Sequence, residues 1–163
     1  MLGRLGYIKL EFGPVWPYVV LVRNFVESFM AETLNKDKFS DLIVMAIGEL
    51  IANAVKYSEG EMSTFIVEVF PEEIRVQTKN KTSPENSLRL QKEIENLRQG
   101  DPLEVYTQKL EAILQNPDGR HSLGLIRIRT EVGGDLECKI QGDMVEIFFR
   151  CPLKNATSQP SQI

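Results

Sequence analysis

The sequence predicts an α+β domain, in which a mixed but mostly antiparallel sheet carries helices on one face. Short alternating segments occur in two pairs, each joined by a three-residue turn, which is typical of antiparallel hairpins. Longer segments with apolar residues at helical spacing stand between these pairs. The 163-residue chain is 42 % hydrophobic and 26 % charged, as in ordinary globular proteins. These observations favour helices packed on a sheet built from hairpins.

The predicted elements, in chain order, are strand 7–12, helix 14–33, helix 41–57, strands 64–70 and 74–78, helices 84–98, 102–115 and 123–132, and strands 135–140 and 144–151. The first strand alternates apolar and charged residues. Pro14 and Pro17 suit the first turn of the following helix, where their missing N–H groups would be unpaired anyway. Ser40 or Asp41 can cap the next helix. Pro71 opens the turn of the first hairpin.

The second half contains clear helix start and stop signals. Ser83 and Asp101 each precede a proline, so each can cap a helix whose first residue is that proline. Ser122 can cap the last helix, which Gly133 and Gly134 close. The last two strands follow as a second hairpin.

The whole chain is expected to form one domain over residues 1–153, followed by a disordered polar tail over residues 154–163. The core is expected to contain the larger aromatic residues. These are Trp16, Phe25, Phe29, Phe65 and Phe70.

Composition excludes several classes of protein. A formal net charge of −4 disfavours a general nucleic-acid binder. One His and two Cys cannot supply a four-ligand zinc site without carboxylates. The most apolar stretch, 42–57, is interrupted by polar residues and too short to span a bilayer, so no membrane partner is expected. Cys138 and Cys151 are too few for a disulfide framework, which favours a reducing, cytoplasmic location.

Three polar residues interrupt this apolar helix on a single face. Glu49, Asn53 and Lys56 are spaced i, i+4 and i+7. One interpretation is a structural polar pair at a helix edge, since buried polar groups need partners. The other is a Mg²⁺-phosphate site, because carboxamide and carboxylate oxygens suit Mg²⁺ and a nearby carboxylate can act as a base.

The segment from Glu49 to Tyr57, ELIANAVKY, resembles the N-box of the GHKL ATPases, and most closely that of the anti-sigma-factor serine/threonine kinases. The resemblance extends over roughly residues 5–152 and implies a Bergerat-type two-layer sandwich that binds ATP and Mg²⁺. It implies that Glu49 is the general base, that Asn53 is a metal ligand, and that Lys56 contacts a phosphate or a carboxylate.

A second segment, GRHSLGLIRI from residue 119, resembles the later glycine box of the same family. The resemblance implies a phosphate cradle formed by Gly119, Arg120, Ser122, Gly124 and Leu125, in which backbone N–H groups receive the negative charge. A plain helix start would explain the same pattern. Between the two boxes, residues 82–120 would form a helical lid insertion, with a helical hairpin covering the sheet edge as the alternative.

The family motif Asp-x-Gly-x-Gly is missing, and no glycine occurs between Gly60 and Gly100. The resemblance makes Asn80 the counterpart of the adenine-binding Asp, because its side-chain oxygen can accept a hydrogen bond from an amine. Thr78 or Lys79 could equally occupy that position.

Together these features predict a bacterial regulatory kinase that phosphorylates a STAS-like anti-sigma-factor antagonist with Mg-ATP. A sigma-factor-type protein is another partner consistent with the resemblance. The missing glycines leave open a degenerate, non-catalytic module that only binds its partner. A sensor histidine kinase is disfavoured, because the single His, His121, follows the N-box. Many relatives dimerise through the sheet side, so a homodimer is an option.

Overall fold

The computed structural model describes residues 3–34, 38–117 and 123–153, and these form an α+β fold, as predicted. The elements are β1 Gly6–Phe12, α1 Trp16–Thr33, α2 Lys38–Lys56, β2 Ser63–Val69, β3 Glu73–Lys81, α3 Pro84–Gln99, α4 Pro102–Gln115, α5 Gly124–Arg127 with a π-helical extension Ile128–Val132, β4 Asp135–Gln141 and β5 Met144–Pro152. None of the helices in these ranges is long and apolar enough to cross a membrane.

The strands form one open sheet in the order β1-β2-β3-β5-β4. All four pairs among the described strands are antiparallel, so the prediction of a mixed sheet is wrong. The reason is the placement of β5. β3 and β4 run in the same direction, but β5 lies between them and is antiparallel to both. A parallel contact is therefore avoided although helices connect β3 to β4.

The two faces of the sheet differ in burial. One row across the sheet is buried, and it contains Ile8, Val67, Val76, Phe149 and Leu136. The neighbouring row faces outward and contains Lys9, Ile66, Gln77, Phe148 and Glu137. This alternation is the period-2 pattern of a sheet with one covered face.

Two of the predicted helix caps are confirmed and that of α2 is wrong, whereas the predicted cap Ser122 lies outside the described residues and α5 has Leu123 as its N-cap. The side chain of Ser83 accepts a hydrogen bond from the N–H of Asn86, and Asp101 accepts one from the N–H of Glu104. The helix α2 begins before Ser40, which is buried within its first turns. Asp41 instead lies in the first turn, where a carboxylate interacts favourably with the helix dipole.

The strand β3, Glu73–Lys81, is longer than the predicted strand 74–78 by one residue at its start and three at its end. Its pattern weakens after Thr78, yet it pairs with β5 residue by residue up to Lys81 and Met144. Pairing with β5 therefore extends the strand over this polar end, although its residues have only a weak preference for strand conformation. The extension brings Asn80 into the sheet.

The aromatic prediction holds for Phe65, which is fully buried, but not for two residues of α1. Trp16 is 57 % exposed and Phe25 is 51 % exposed, because each lies on a flank of α1 that no described element covers. The predicted tail, residues 154–163, lies outside the described residues. The one-domain prediction for residues 1–153 stays a prediction.

The contact between Gly134 and β5 provides a test of this packing. A methyl group at position 134 would overlap the ring of Phe149 and lie 2.9 Å from the carbonyl oxygen of Arg150. Gly134→Ala should therefore lower the free energy of unfolding by about 1–3 kcal/mol. Gly13→Ala is the matched control, because its methyl group would meet nothing within 4 Å. Urea denaturation measures both, and equal stabilities of the two variants would contradict this packing.

Candidate functional site

The helix α2 places two of the three predicted N-box side chains at its contact with α5, which borders a narrow cleft. Asn53 is buried, with 6 % exposure, and lines this cleft together with Leu125 of α5. Glu49, one turn earlier, is half-buried and lies against Gly124 at the start of α5. Lys56 is the exposed last residue of the helix, and its Nζ lies 5.2 Å from the centre of the Tyr57 ring. The described geometry therefore groups Glu49 with Asn53 but does not bring Lys56 to them.

Gly124 lies where α5 approaches α2 closely. A Cβ atom at this position would overlap the carboxylate of Glu49, so a larger residue would force the end of that side chain to move. Leu125 follows it and is almost fully buried. Gly124 of the predicted cradle thus lies against Glu49 of the N-box, and Leu125 lines the cleft beside Asn53.

The predicted cradle residues Gly119, Arg120 and Ser122, together with His121, lie outside the described residues. The neighbouring cations have structural partners. Arg127 pairs with Glu131, with 3.2 Å between Nε and Oε1, and this bond is the main cause that raises the pKa of Arg127. Glu49 adds a smaller attraction. Arg129 donates a hydrogen bond to the carbonyl oxygen of Gly134.

The alternation of β3 separates one of the three candidates for the adenine contact from the other two. Thr78 and Asn80 are buried and face the helices, whereas Lys79 faces outward and pairs with Glu146, with 3.1 Å between Nζ and Oε1. The alternation of the strand therefore removes Lys79 from the cleft side. The side-chain nitrogen of Asn80 donates to the carbonyl oxygen of Lys81 at 3.1 Å.

Unpaired hydroxyl groups accompany these two residues. Among the described residues, the buried side-chain oxygens without a hydrogen-bond partner are those of Ser63, Thr78, Thr82 and Ser87. Ser63 lies near Asn80. Thr64 of β2 pairs with Lys79 of β3, so the next position along this antiparallel pair sets Ser63 opposite Asn80. Unpaired buried hydroxyls cost about 1–3 kcal/mol each, so they mark a place where a polar ligand would restore hydrogen bonds.

The cleft beside Asn53 is closed by α3. The cavity there has a volume of about 10 Å³, enough for roughly one water molecule. One side of this cavity is lined by four residues of α3, namely Asn86, Arg89, Leu90 and Glu93. On its other side, α3 borders a wider cavity of about 750 Å³ against α4, and Arg89 and Tyr57 line both spaces.

The helix α3 is also part of the core. Leu90, Ile94 and Leu97 are buried, and the helix packs on the edge strand β4. This packing agrees with the alternative interpretation of residues 82–120 as a hairpin that covers the sheet edge. The guanidinium of Arg89 stacks on Tyr57, with 4.9 Å between its Cζ and the ring centre. The end of α2 is thereby tied to α3.

Cysteine and metal chemistry find no support among the described residues. Burial raises the pKa of the Cys138 and Cys151 thiols to about 11, so little reactive thiolate exists at neutral pH. No group of three His, Cys, Asp or Glu side chains that could hold a metal ion occurs within the described ranges. A metal ion would therefore need oxygens from another molecule, such as phosphate groups, beside Asn53 and Glu49.

The sequence analysis missed Arg89 and Glu93 at this cleft, and it did not rank Thr78 above Lys79 for the adenine contact. Thr78 could have been chosen over Lys79, because strand alternation sets it on the same side as Ile74 and Val76. Arg89 and Glu93 could not be found, because their position depends on how α3 docks. No local pattern in the sequence indicates where α3 packs.

Comparisons with known proteins agree with the fold. Neither the protein-family models nor the curated proteins include a match to this chain. Among solved structures, it is similar to a chain in the crystal structure of the SiaB–SiaC complex from Pseudomonas aeruginosa. The two chains are 15 % identical with a TM-score of 0.65, over 92 % of this chain and 91 % of that chain. At this identity, the likeness shows a shared fold.

The unpaired hydroxyl of Thr78 gives a test of the site. Thr78→Val keeps the side-chain shape and removes the buried hydroxyl, so it should raise the free energy of unfolding by about 1 kcal/mol. Thr64→Val is the control, since Thr64 lies on the outward face of the neighbouring strand. Thermal denaturation of the ligand-free protein measures the effect. A lower melting temperature for Thr78→Val would mean that the hydroxyl has a partner.

Proposed function

We propose that the protein is a regulatory ATP-binding protein with a Bergerat-type fold, similar to the anti-sigma-factor serine/threonine kinases. It would transfer a phosphoryl group from Mg-ATP to a hydroxyl group of a STAS-like partner. One observation carries the proposal: Glu49 and Asn53 share a face of α2, and both meet α5 at Gly124 and Leu125. This arrangement juxtaposes the two sequence motifs that resemble the family.

The residues at the cleft have the chemistry to hold Mg-ATP. The carboxamide oxygen of Asn53 is a hard ligand of the kind that Mg²⁺ prefers. The unpaired hydroxyls of Ser63 and Thr78, with the carboxamide of Asn80 beside them, supply hydrogen-bond partners for the polar edge of a purine. Either Asn80 or Thr78 would accept the bond from the adenine amine.

When bound, Mg²⁺ would neutralise the charge that develops on the transferred phosphoryl group. The role of Asn53 is to hold the metal and so fix the triphosphate along α2. The role of Glu49 is to accept the proton of the attacking hydroxyl, as the bond from that oxygen to phosphorus forms and the bond to the departing ADP oxygen breaks. The roles of Lys56, Gly119, Arg120 and Ser122 stay predictions.

The helix α3 must move before a nucleotide can reach Asn53. A nucleotide needs several hundred Å³, and the space between Asn53 and α3 is about 10 Å³. The wider cavity of about 750 Å³ behind α3 leaves room for the helix to shift towards α4. We therefore expect ATP to bind by displacing α3, with loss of the stacking between Arg89 and Tyr57.

A protein partner is supported by the fold comparison, because a chain with this fold occurs in a complex with another protein. The STAS-like nature of the partner rests on the family resemblance. The closed cleft and the missing glycines favour a second candidate function, in which the protein binds its partner without transferring phosphate.

The thermal shift caused by Mg-ATP tests whether Asn53 contributes to ligand binding or has only a structural role. At 100 times the dissociation constant, Mg-ATP should stabilise the protein by about 2.7 kcal/mol, which raises the melting temperature by roughly 5–10 °C. A tenfold loss of affinity in Asn53→Ala would halve this shift. Asn24→Ala, an exposed carboxamide on α1, should keep the full shift. Absence of any shift for the wild type at millimolar Mg-ATP would contradict the proposal.

Phosphate transfer tests the role of Glu49. Labelled ATP, Mg²⁺ and a STAS-like protein encoded beside this one should yield labelled partner, and Glu49→Gln should slow transfer by about 100-fold or more. This variant should still be stabilised by Mg-ATP. Glu27→Gln on the exposed side of α1 is the matched control and should transfer at the wild-type rate. A wild type that binds the partner tightly without transfer would favour the non-catalytic function.

A further inference from the structure

The helices α3 and α4 enclose a cavity that the proposed function does not use as a binding site. Its volume of about 750 Å³ lies in the range of small-molecule sites. It runs from Gly100, at the turn between the helices, to Arg89 on α3 and Ile113 on α4. A Cβ atom at Gly100 would overlap the side chain of Val105, so the two helices are in close contact at this turn. Along α3, the stretch from Arg89 to Leu97 spans about 12 Å.

The helix α4 lines this cavity with apolar side chains but is not buried itself. None of its residues is buried, whereas Leu90, Ile94 and Leu97 of α3 are. Val105 and Ile113 of α4 lie on the cavity wall and stay partly exposed. Since apolar surface in contact with water is unfavourable, the apolar body of a ligand would be stabilised between the helices.

The charged side chains around the cavity are mostly positive. Lys109 of α4 pairs with Glu93 of α3, and this ion pair ties the two helices together across the cavity. The other two charges are Arg89 and Lys92, one turn apart on α3 and away from the turn between the helices. Arg89 stacks on Tyr57, and neither cation forms an ion pair with a described residue. Guanidinium and ammonium groups bind carboxylates through strong, charge-assisted hydrogen bonds, so an anionic group is favoured at this end.

We propose that the cavity between α3 and α4 is a regulatory site for a small amphipathic anion, a carboxylate on a linear apolar chain. The carboxylate binds Arg89 and Lys92, and the chain extends along Leu97 and Val105 towards the turn between the helices. A ligand made only of charged groups would leave these apolar side chains uncovered, and a purely apolar one would leave the two cations without an anion.

Occupation of this site holds α3 over the cleft beside Asn53. Arg89 and Tyr57 line both cavities, so α3 stands between the two ligands. The amphipathic anion fits only while α3 keeps its described position, whereas a nucleotide needs α3 displaced towards α4. Ligands that select opposite positions of one helix oppose each other's binding. This antagonism rests on the proposed function, but the site itself does not.

Isothermal titration calorimetry of the full chain with decanoate, below the concentration at which it forms micelles, tests the site. One molecule should bind per chain, and decanol, which lacks the charge, should bind about tenfold more weakly or worse. Lys92→Glu should weaken decanoate binding by about tenfold or more, because it reverses a charge at the carboxylate. Arg98→Glu is the matched control, with the same change of charge on the same helix but outside the cavity. Ala112→Phe should abolish binding, because its ring fills the cavity from α4.

Hydrogen exchange measures the effect on α3 without any nucleotide. Decanoate at ten times its dissociation constant should slow the exchange of the α3 amides about tenfold, because the displaced helix cannot hold the ligand. The same concentration should raise the apparent dissociation constant of Mg-ATP about tenfold. Ala112→Phe should show neither effect of decanoate. Far-UV circular dichroism checks that every variant is folded.

The outcomes separate this site from the proposed function. The proposal is overturned if decanoate does not bind, or if several molecules bind and neither Lys92→Glu nor Ala112→Phe changes their affinity. One-to-one binding that leaves the exchange of α3 unchanged, or that leaves the affinity for Mg-ATP unchanged, overturns the regulatory role. If decanoate binds and slows the exchange but Mg-ATP never binds, the proposed function fails and the site stands.

Discussion

The strand β3 is hydrogen-bonded along its length to β2 on one side and to β5 on the other. It therefore joins the two parts of the sheet, the strands that precede α3 and the hairpin that follows α5. The two registers together also fix which side chains of β3 face the helices. A slip of one residue would turn Thr78 and Asn80 outward and bring Lys79 inward. The inward orientation of Thr78 and Asn80 thus depends on the same pairing that holds the sheet together.

The candidate site combines groups from elements that are far apart in sequence. Asn53 and Glu49 come from α2, the unpaired hydroxyls of Ser63 and Thr78 come from β2 and β3, and Gly124 of α5 lies against Glu49. The helix α3 closes the cleft beside Asn53. The same residues therefore fit two descriptions, a nucleotide site with a displaceable helix and a protein-binding domain whose cleft has been closed. Phosphate transfer and nucleotide binding separate these descriptions.

Most of the architecture could be predicted from the sequence, because local signals specify it. Hairpin turns, the Ser83 and Asp101 caps and the glycine stop at Gly133 act over a few residues and are all observed. The long-range features could not be predicted in this way. The exposure of Phe25 depends on what lies beside α1, and the closure of the cleft depends on where α3 docks. The spacing of Glu49 and Asn53 predicted a shared face, but only the fold brings Gly124 to them.

The packing of α3 has a consequence for the strength of any ligand that binds beside Asn53. Opening the cleft would expose some of Leu90, Ile94 and Leu97 to water, at about 1.5–3 kcal/mol for each side chain. Each 1.4 kcal/mol that opening the cleft costs lowers the apparent affinity for the ligand tenfold, since only molecules with an open cleft can bind it. A partner protein that covers these side chains when α3 is displaced would remove that penalty. The fraction of molecules with a ligand in the cleft would then depend on the presence of the partner as much as on the concentration of the ligand.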